Sequence, residues 1–246
     1  MNLVKIDVSQ VIKQASKLPL VKINRSEFLE KELKKYCTES EIRKAIETTP
    51  RKAGISKDTI DKVAEECIKY ETNKVTGLSA IAGIPGGMAM LGTIPADLAQ
   101  YFGHIIRIAQ KLGYIYGWKE INSIEDDFDS ESSNTLLIFM GIMFGIEGAS
   151  GMVSKLASQM AAANAGKIIV KGLSKNVVFK AIQNILKQIG IKINQKIVGQ
   201  LISKSLPLVG GAISGGITYF SYKPMCYKLK EALSKCPQAE WNFQRS

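Results

Sequence analysis

A helix beginning near Thr93-Ile94-Pro95 would gather Asp97, Gln100, Tyr101, His104, Arg107 and Lys111 into one arc of about 120° at 100° per residue. Asp97 and His104 are then two turns apart on the same face, a spacing that suits an acid–base or ligand-holding pair in a cleft. The competing reading is a solvated or inter-helix polar face, the ordinary meaning of a polar strip on a helix. Asp97, Tyr101, His104 and Arg107 are the candidate ligand strip. His104 is the only histidine in the chain, which removes most imidazole-based catalysis and histidine-rich metal sites.

Other motifs fail on spacing. Gly166-Lys167 is followed by Ile168 instead of Ser or Thr, and Ala161 stands where a P-loop needs its first Gly. Ser214 lies in Gly211-Ala212-Ile213-Ser214-Gly215, which is not the G-x-S-x-G of a nucleophile elbow. The acidic run 125–131 offers Asp127, Asp129 and Glu131 as calcium ligands. An EF-hand loop begun at Asp127 would nevertheless meet Ser132 where Gly is required and Ile138 where a bidentate Glu is required. The run reads better as the acidic lead-in to a helix over 136–146. No catalytic motif, metal or cofactor is expected.

The strongest signal is charge. The chain has 246 residues with 33 Lys and Arg against 22 Asp and Glu, a net charge of +11. Residues 132–246 hold 14 basic side chains and 3 acidic ones, and no carboxylate lies between Glu147 and Glu231. Lys167, Lys171, Lys175, Lys180, Lys187, Lys192 and Lys196 fall in this stretch, where they must face solvent or an anion. Over 175–190 the pattern is amphipathic. Val178, Phe179, Ile182, Ile185, Leu186 and Ile189 share one arc, and Asn176, Lys180, Gln183, Asn184, Lys187 and Gln188 share the other. Such a helix either packs on a core with its lysines solvating it or meets an anionic lipid surface. Nucleic acid is disfavoured, because the segment has no Arg to read bases and only Phe179 to stack on them.

The elements that must position these residues are helices. The first third predicts helices over 26–36, 39–48 and 56–72, with Ser26 and Ser56 as N-caps and Pro50 and Gly54 as interruptions. Segments 75–106, 132–146 and 205–222 are nearly free of charge. Each holds a G-x-x-x-G (Gly83/Gly87, Gly141/Gly145, Gly211/Gly215) that would line one helix face and let a neighbouring backbone come close. A membrane span needs ~20 apolar residues. The second segment is too short. Pro85, Gly86, Gly87, Gly92 and Pro95 break the first into a hairpin, and the third is borderline in length and carries Ser and Tyr. Buried helices are the leading reading, partial insertion the next and a true span the last. Four cysteines without a C-x-x-C pair suit free thiols in a reducing compartment, and charges throughout the first 30 residues argue against a cleaved signal.

Gly83-Ile84-Pro85-Gly86-Gly87, Thr93-Ile94-Pro95-Ala96-Asp97-Leu98, Arg107-Ile108-Ala109-Gln110 and Tyr114-Ile115-Tyr116-Gly117 together resemble the bacterial EcsC family. A second block, Leu206-Pro207-Leu208-Val209-Gly210-Gly211 onward to a lysine-rich helical end, resembles the family's C-terminal helix. The two blocks cover residues 75–118 and 195–235. The resemblance implies a mostly helical bacterial protein, from a family named after the companion of an ABC transporter, and carries over no catalytic residues. The GIPGG stretch is also distantly similar to apolar helical modules of some membrane-acting GTPases.

These readings give an all-α, multi-helix bundle with glycine-rich, closely packed central helices, with residues 1–74 as an N-terminal helical extension and 75–246 as the EcsC-like domain. The expected function is that of a non-enzymatic accessory protein on the cytoplasmic face of a bacterial membrane, held by the lysine face and by the Leu78–Ala96 hairpin. Its expected partners are anionic membrane lipid or a membrane protein complex such as a transporter, with a homo-oligomer left open. The alternatives are a helical protein–protein interaction module without lipid contact, and a lipid- or ligand-handling protein that uses Asp97 and His104.

Overall fold

The computed structural model describes residues 7–19, 21–82, 96–119, 121, 130–164, 175–203 and 210–236. Among them are nine helices and no strand. The helices are α1 (Val8–Ser16), α2 (Arg25–Leu33), α3 (Glu39–Glu47), α4 (Lys57–Ala82), α5 (Ala96–Ile115), α6 (Glu131–Met143), α7 (Ala149–Asn164), α8 (Lys175–Ser203) and α9 (Gly210–Ser234). The all-α fold class read from the sequence is the one observed.

The helices start where short polar side chains can cap free backbone N–H groups. Asp7 accepts the Ser9 N–H at 2.9 Å, Thr38 and Glu41 form a capping box on α3, and Ser56 accepts the Thr59 N–H at 3.2 Å. α2 corrects the expectation. Its cap is Asn24, which accepts the Glu27 N–H at 3.1 Å, and Ser26 lies inside the first turn. Ser130 caps α6, which therefore starts five residues before the expected 136. α1 was not foreseen, although Val8, Val11, Ile12 and Ala15 repeat at helical spacing and are all buried. α4 runs ten residues beyond the expected 72, so a boundary after residue 74 would fall inside a helix.

α6 lies at the centre. Leu136, Leu137, Ile138, Phe139 and Met140 are five consecutive buried residues, the pattern of a helix enclosed on every side. Gly141 and Gly145 do different work. A Cβ on Gly141 would sit 3.1 Å from Ile185 Cδ1 and 3.2 Å from Ala149 Cβ, so glycine there lets α8 and α7 approach. Gly145 is not on the helix face; at φ +64° it ends α6, with the Ile146 N–H returned to the Gly141 carbonyl at 2.8 Å. Gly83 and Gly87 lie outside the described residues, as do the side-chain surroundings of Gly211 and Gly215. α4 packs chiefly on α9 and α5, and α6 on α5, α7, α8 and α9.

The N-terminal third is bound to this centre by polar anchors as well as apolar contact. Gln110 of α5 accepts the Ile23 N–H at 3.1 Å and donates to the Val21 carbonyl at 2.9 Å. Buried Arg25 donates to the carbonyls of Trp118, Ile46, Ala45 and Thr48 at 2.6–3.2 Å, joining the ends of α3 and α5. No disulfide joins the four cysteines, and among the described residues no helix is long and apolar enough to cross a membrane. The expected 78–96 hairpin falls largely on residues 83–95, outside the described ones.

Candidate functional site

The polar strip of α5 faces a neighbouring helix. On α4, Ile60, Ala64, Cys67, Glu71 and Val75 follow one another at three- and four-residue intervals and all are buried, so Glu71 projects from the apolar face. His104, Arg107 and Lys111 of α5 project from the opposite side at the same periodicity. Lys111 Nζ lies 2.5 Å from Glu71 Oε1, Arg107 3.6 Å from the same oxygen, and His104 Nδ1 3.7 Å from Oε2. The Glu71 side chain is fully buried, and those of His104, Arg107 and Lys111 are only 12%, 14% and 10% exposed. Lys111 also lies over the Phe28 ring, 5.4 Å from its centre.

Burial alone would push the Glu71 carboxyl up. The His104 imidazole, across a gap wider than a hydrogen bond, and the Lys111 and Arg107 charges outweigh it and hold the group at about 2. A carboxylate so held stays ionised through the neutral range and offers no proton as a general acid. α9 supports the cluster from a third side: Tyr222 donates to the His104 carbonyl at 3.0 Å and packs edge-on against Tyr101, 6.3 Å between ring centres. The Tyr101 hydroxyl reaches the Met225 sulfur at 3.6 Å, and burial raises its pKa to about 12.

Of the expected strip, then, Tyr101, His104 and Arg107 are together. Asp97 lies in the first turn of α5 with its side chain outside the described residues, so no pairing with His104 is assigned. The carboxylate that meets His104 is Glu71, which reading α5 by itself could not find. The signal was available on α4, as an acidic residue in the middle of an otherwise apolar helical face. Burial pushes the adjacent Cys67 thiol up to about 12, so it is no thiolate nucleophile at neutral pH. Among the described residues no three His, Cys, Asp or Glu side chains are placed to hold a metal. The chemistry of this cluster is that of an ion-pair lock between α4 and α5.

α8 presents the opposite arrangement. Ile182, Ile185, Leu186, Ile189 and Ile193 are buried against the bundle. Asn176, Lys180, Gln183, Asn184 and Lys187 face solvent, so the two arcs read from the sequence divide as expected over this stretch. Phe179 is the exception. It stands at the rim of the apolar arc and is 55% exposed, with Val177 at 50% and Ile191 at 42% beside the same outer face. Lys192 is exposed and donates to the Phe144 carbonyl at 2.8 Å. Lys175 and Lys196 lie on α8 with side chains outside the described residues, and Lys167 and Lys171 lie outside them altogether. Compared with family models, curated proteins and solved structures, the chain matches none.

Proposed function

We propose that the protein is a non-enzymatic accessory that docks on the anionic cytoplasmic face of a bacterial membrane through the outer face of α8 and there serves a transporter or other membrane complex. The observation that carries this reading is the composition of that face. Lys180 and Lys187 stand on it beside exposed Phe179, Val177 and Ile191, and the whole of α8 contains five lysines and no carboxylate. Cations that pair with no carboxylate among the described residues, next to an aromatic and two aliphatic side chains in water, are the components of an interfacial helix: the charges meet anionic headgroups and the apolar tips enter the acyl boundary. The absence of a spanning helix among the described residues accords with attachment from one side, and the resemblance to the EcsC family accords with service to a transporter.

The test is flotation of the intact protein with phosphatidylcholine vesicles and with vesicles containing phosphatidylglycerol, at low and high salt. Each lysine near an anionic surface contributes about 1 kcal/mol, so K180Q/K187Q should weaken binding by about thirtyfold. Binding to the anionic vesicles alone, reduced by salt and by the double substitution, is the expected result. A protein that floats with neither vesicle at low salt would overturn the proposal.

A further inference from the structure

Two lysines from different helices converge where α6 ends. A Cβ on Gly145 would lie 3.2 Å from Lys228 Nζ and 3.9 Å from Lys192 Nζ, which puts the two ammonium groups no more than about 7 Å apart. Lys192 is engaged with the Phe144 carbonyl, and the negative end of the α6 dipole attracts both. Among the described residues, no carboxylate pairs with Lys228. Two like charges this close repel unless an anion joins them.

Beside them lies a cleft of about 390 Å³ between α6, α7 and α9. α9 lines it with Lys228, Glu231 and Lys235, at helical spacing, and α7 with Ser150 and Ser154 on consecutive turns. Ile142 and Ile146 contribute apolar wall. Glu231 is its one acidic side chain and is paired with Lys235 at 2.6 Å. Among the lining residues Lys228 and Lys235 against Glu231 leave a surplus of one positive charge, and Lys192, which approaches Gly145 at the edge of the cleft, brings it to two. The first turn of α7 carries no acid, although Glu147 stands two residues ahead of it. A second cleft of about 430 Å³, on the other side of Lys228, has no such surplus: Asp61 and Glu231 line it together with Lys228 and Lys230, and Lys230 is paired with Glu65 at 2.7 Å.

We propose that the cleft between α6, α7 and α9 binds a phosphate monoester, with Lys228 and Lys192 holding its dianionic head and the Ser150 hydroxyl bonding a third oxygen. A tetrahedral dianion suits donors that arrive from three helices, and its two charges match the surplus. The ester is either a lipid headgroup, a reading that rests on the membrane docking proposed above, or a soluble phosphate ester.

The experiment uses three probes: glycerol 3-phosphate measured by calorimetry, and vesicles containing phosphatidic acid or phosphatidylglycerol at matched surface charge. The variants are K228Q, which changes an exposed side chain, and K180Q, which removes the same charge from the outer face of α8. If the ester is a headgroup, phosphatidic acid vesicles bind about tenfold more tightly than phosphatidylglycerol vesicles, K228Q abolishes that difference, and K180Q weakens both vesicles equally. If glycerol 3-phosphate binds and K228Q removes the binding while no vesicle binds, the cleft stands as a site for a soluble ester and the docking reading falls. If vesicles bind without preference and K228Q leaves glycerol 3-phosphate binding unchanged or there is none to change, the cleft proposal is overturned and docking survives. Thermal melts of both variants confirm that each is folded.

Discussion

Lysine serves opposite ends in two regions of this molecule. At the α4–α5 interface Lys111, with Arg107 and His104, is folded around one carboxylate that is fully buried, and the Lys111 ammonium also lies near the Phe28 and Tyr70 rings. On the outer face of α8, Lys180 and Lys187 have no acidic residue anywhere on their helix and share the solvent with Phe179. Inside, the cations are gathered on one shared buried carboxylate, and removing that counter-charge is expensive. Outside, the charge is surplus, contributes little to folding, and is open to a partner.

The comparison breaks most sharply at Glu71. Glu71→Gln leaves cations buried without their carboxylate and should destabilise the fold by about 3–5 kcal/mol, read by urea denaturation. A loss below about 1 kcal/mol would mean that the interior set is not matched in the way its distances indicate. Arg25 extends the same rule to a buried cation held by carbonyls. Arg25→Lys cannot span four acceptors around the ends of α3 and α5, and should cost about 2–3 kcal/mol in the same measurement.

Acid sharpens the contrast. The folded-state pKa of Glu71, about 2, lies below its ordinary value of 4.5, so this carboxylate contributes stability that is fully present above pH 4.5 and is lost as pH falls toward 2. Denaturation midpoints across that window should fall more steeply for the wild type than for E71Q. Equal slopes would remove Glu71 from the account of acid unfolding. K180Q/K187Q should do the reverse of E71Q, leaving stability unchanged within about 0.5 kcal/mol while lowering affinity for anionic vesicles. The smallest effect is expected at the rim of α8: Phe179→Ser should weaken vesicle binding by about 1–2 kcal/mol and leave its salt dependence intact, because what it removes is apolar contact.

Sequence patterns revealed most of the helices, since caps and a 3.6-residue period are local. They revealed both arcs of α8 over 175–190 for the same reason. α1 follows the same rule, with Asp7 as its cap and an apolar i, i+3, i+4, i+7 row that Lys13 interrupts without breaking the period. What could not be read locally was partnership. Projection of α5 placed His104 and Arg107 on one face but could not supply Glu71, which comes from a helix more than thirty residues earlier in the chain. The glycines teach a similar lesson. Gly141 and Gly145 fit one spacing rule and serve two purposes, and so do Gly113, where a Cβ would meet Phe139 at 3.0 Å, and Gly117, at φ +86°; Gly103 of α5, in no such motif, stands where a Cβ would meet Val21 at 3.2 Å. Phe179, at the rim of the apolar arc, is likewise exposed where the periodicity of α8 assigns it to the apolar side.

The central claim is that the unpaired charge of α8 is the docking surface and the cations held on Glu71 between α4 and α5 are not. The most direct measurement is flotation of wild type and K180Q/K187Q with phosphatidylglycerol-containing vesicles across a salt series. The account predicts tight, salt-sensitive binding by the wild type, with about thirtyfold weaker binding and a shallower salt dependence for the variant at unchanged thermal stability. Equal binding of both proteins, or binding of neither at low salt, would contradict it.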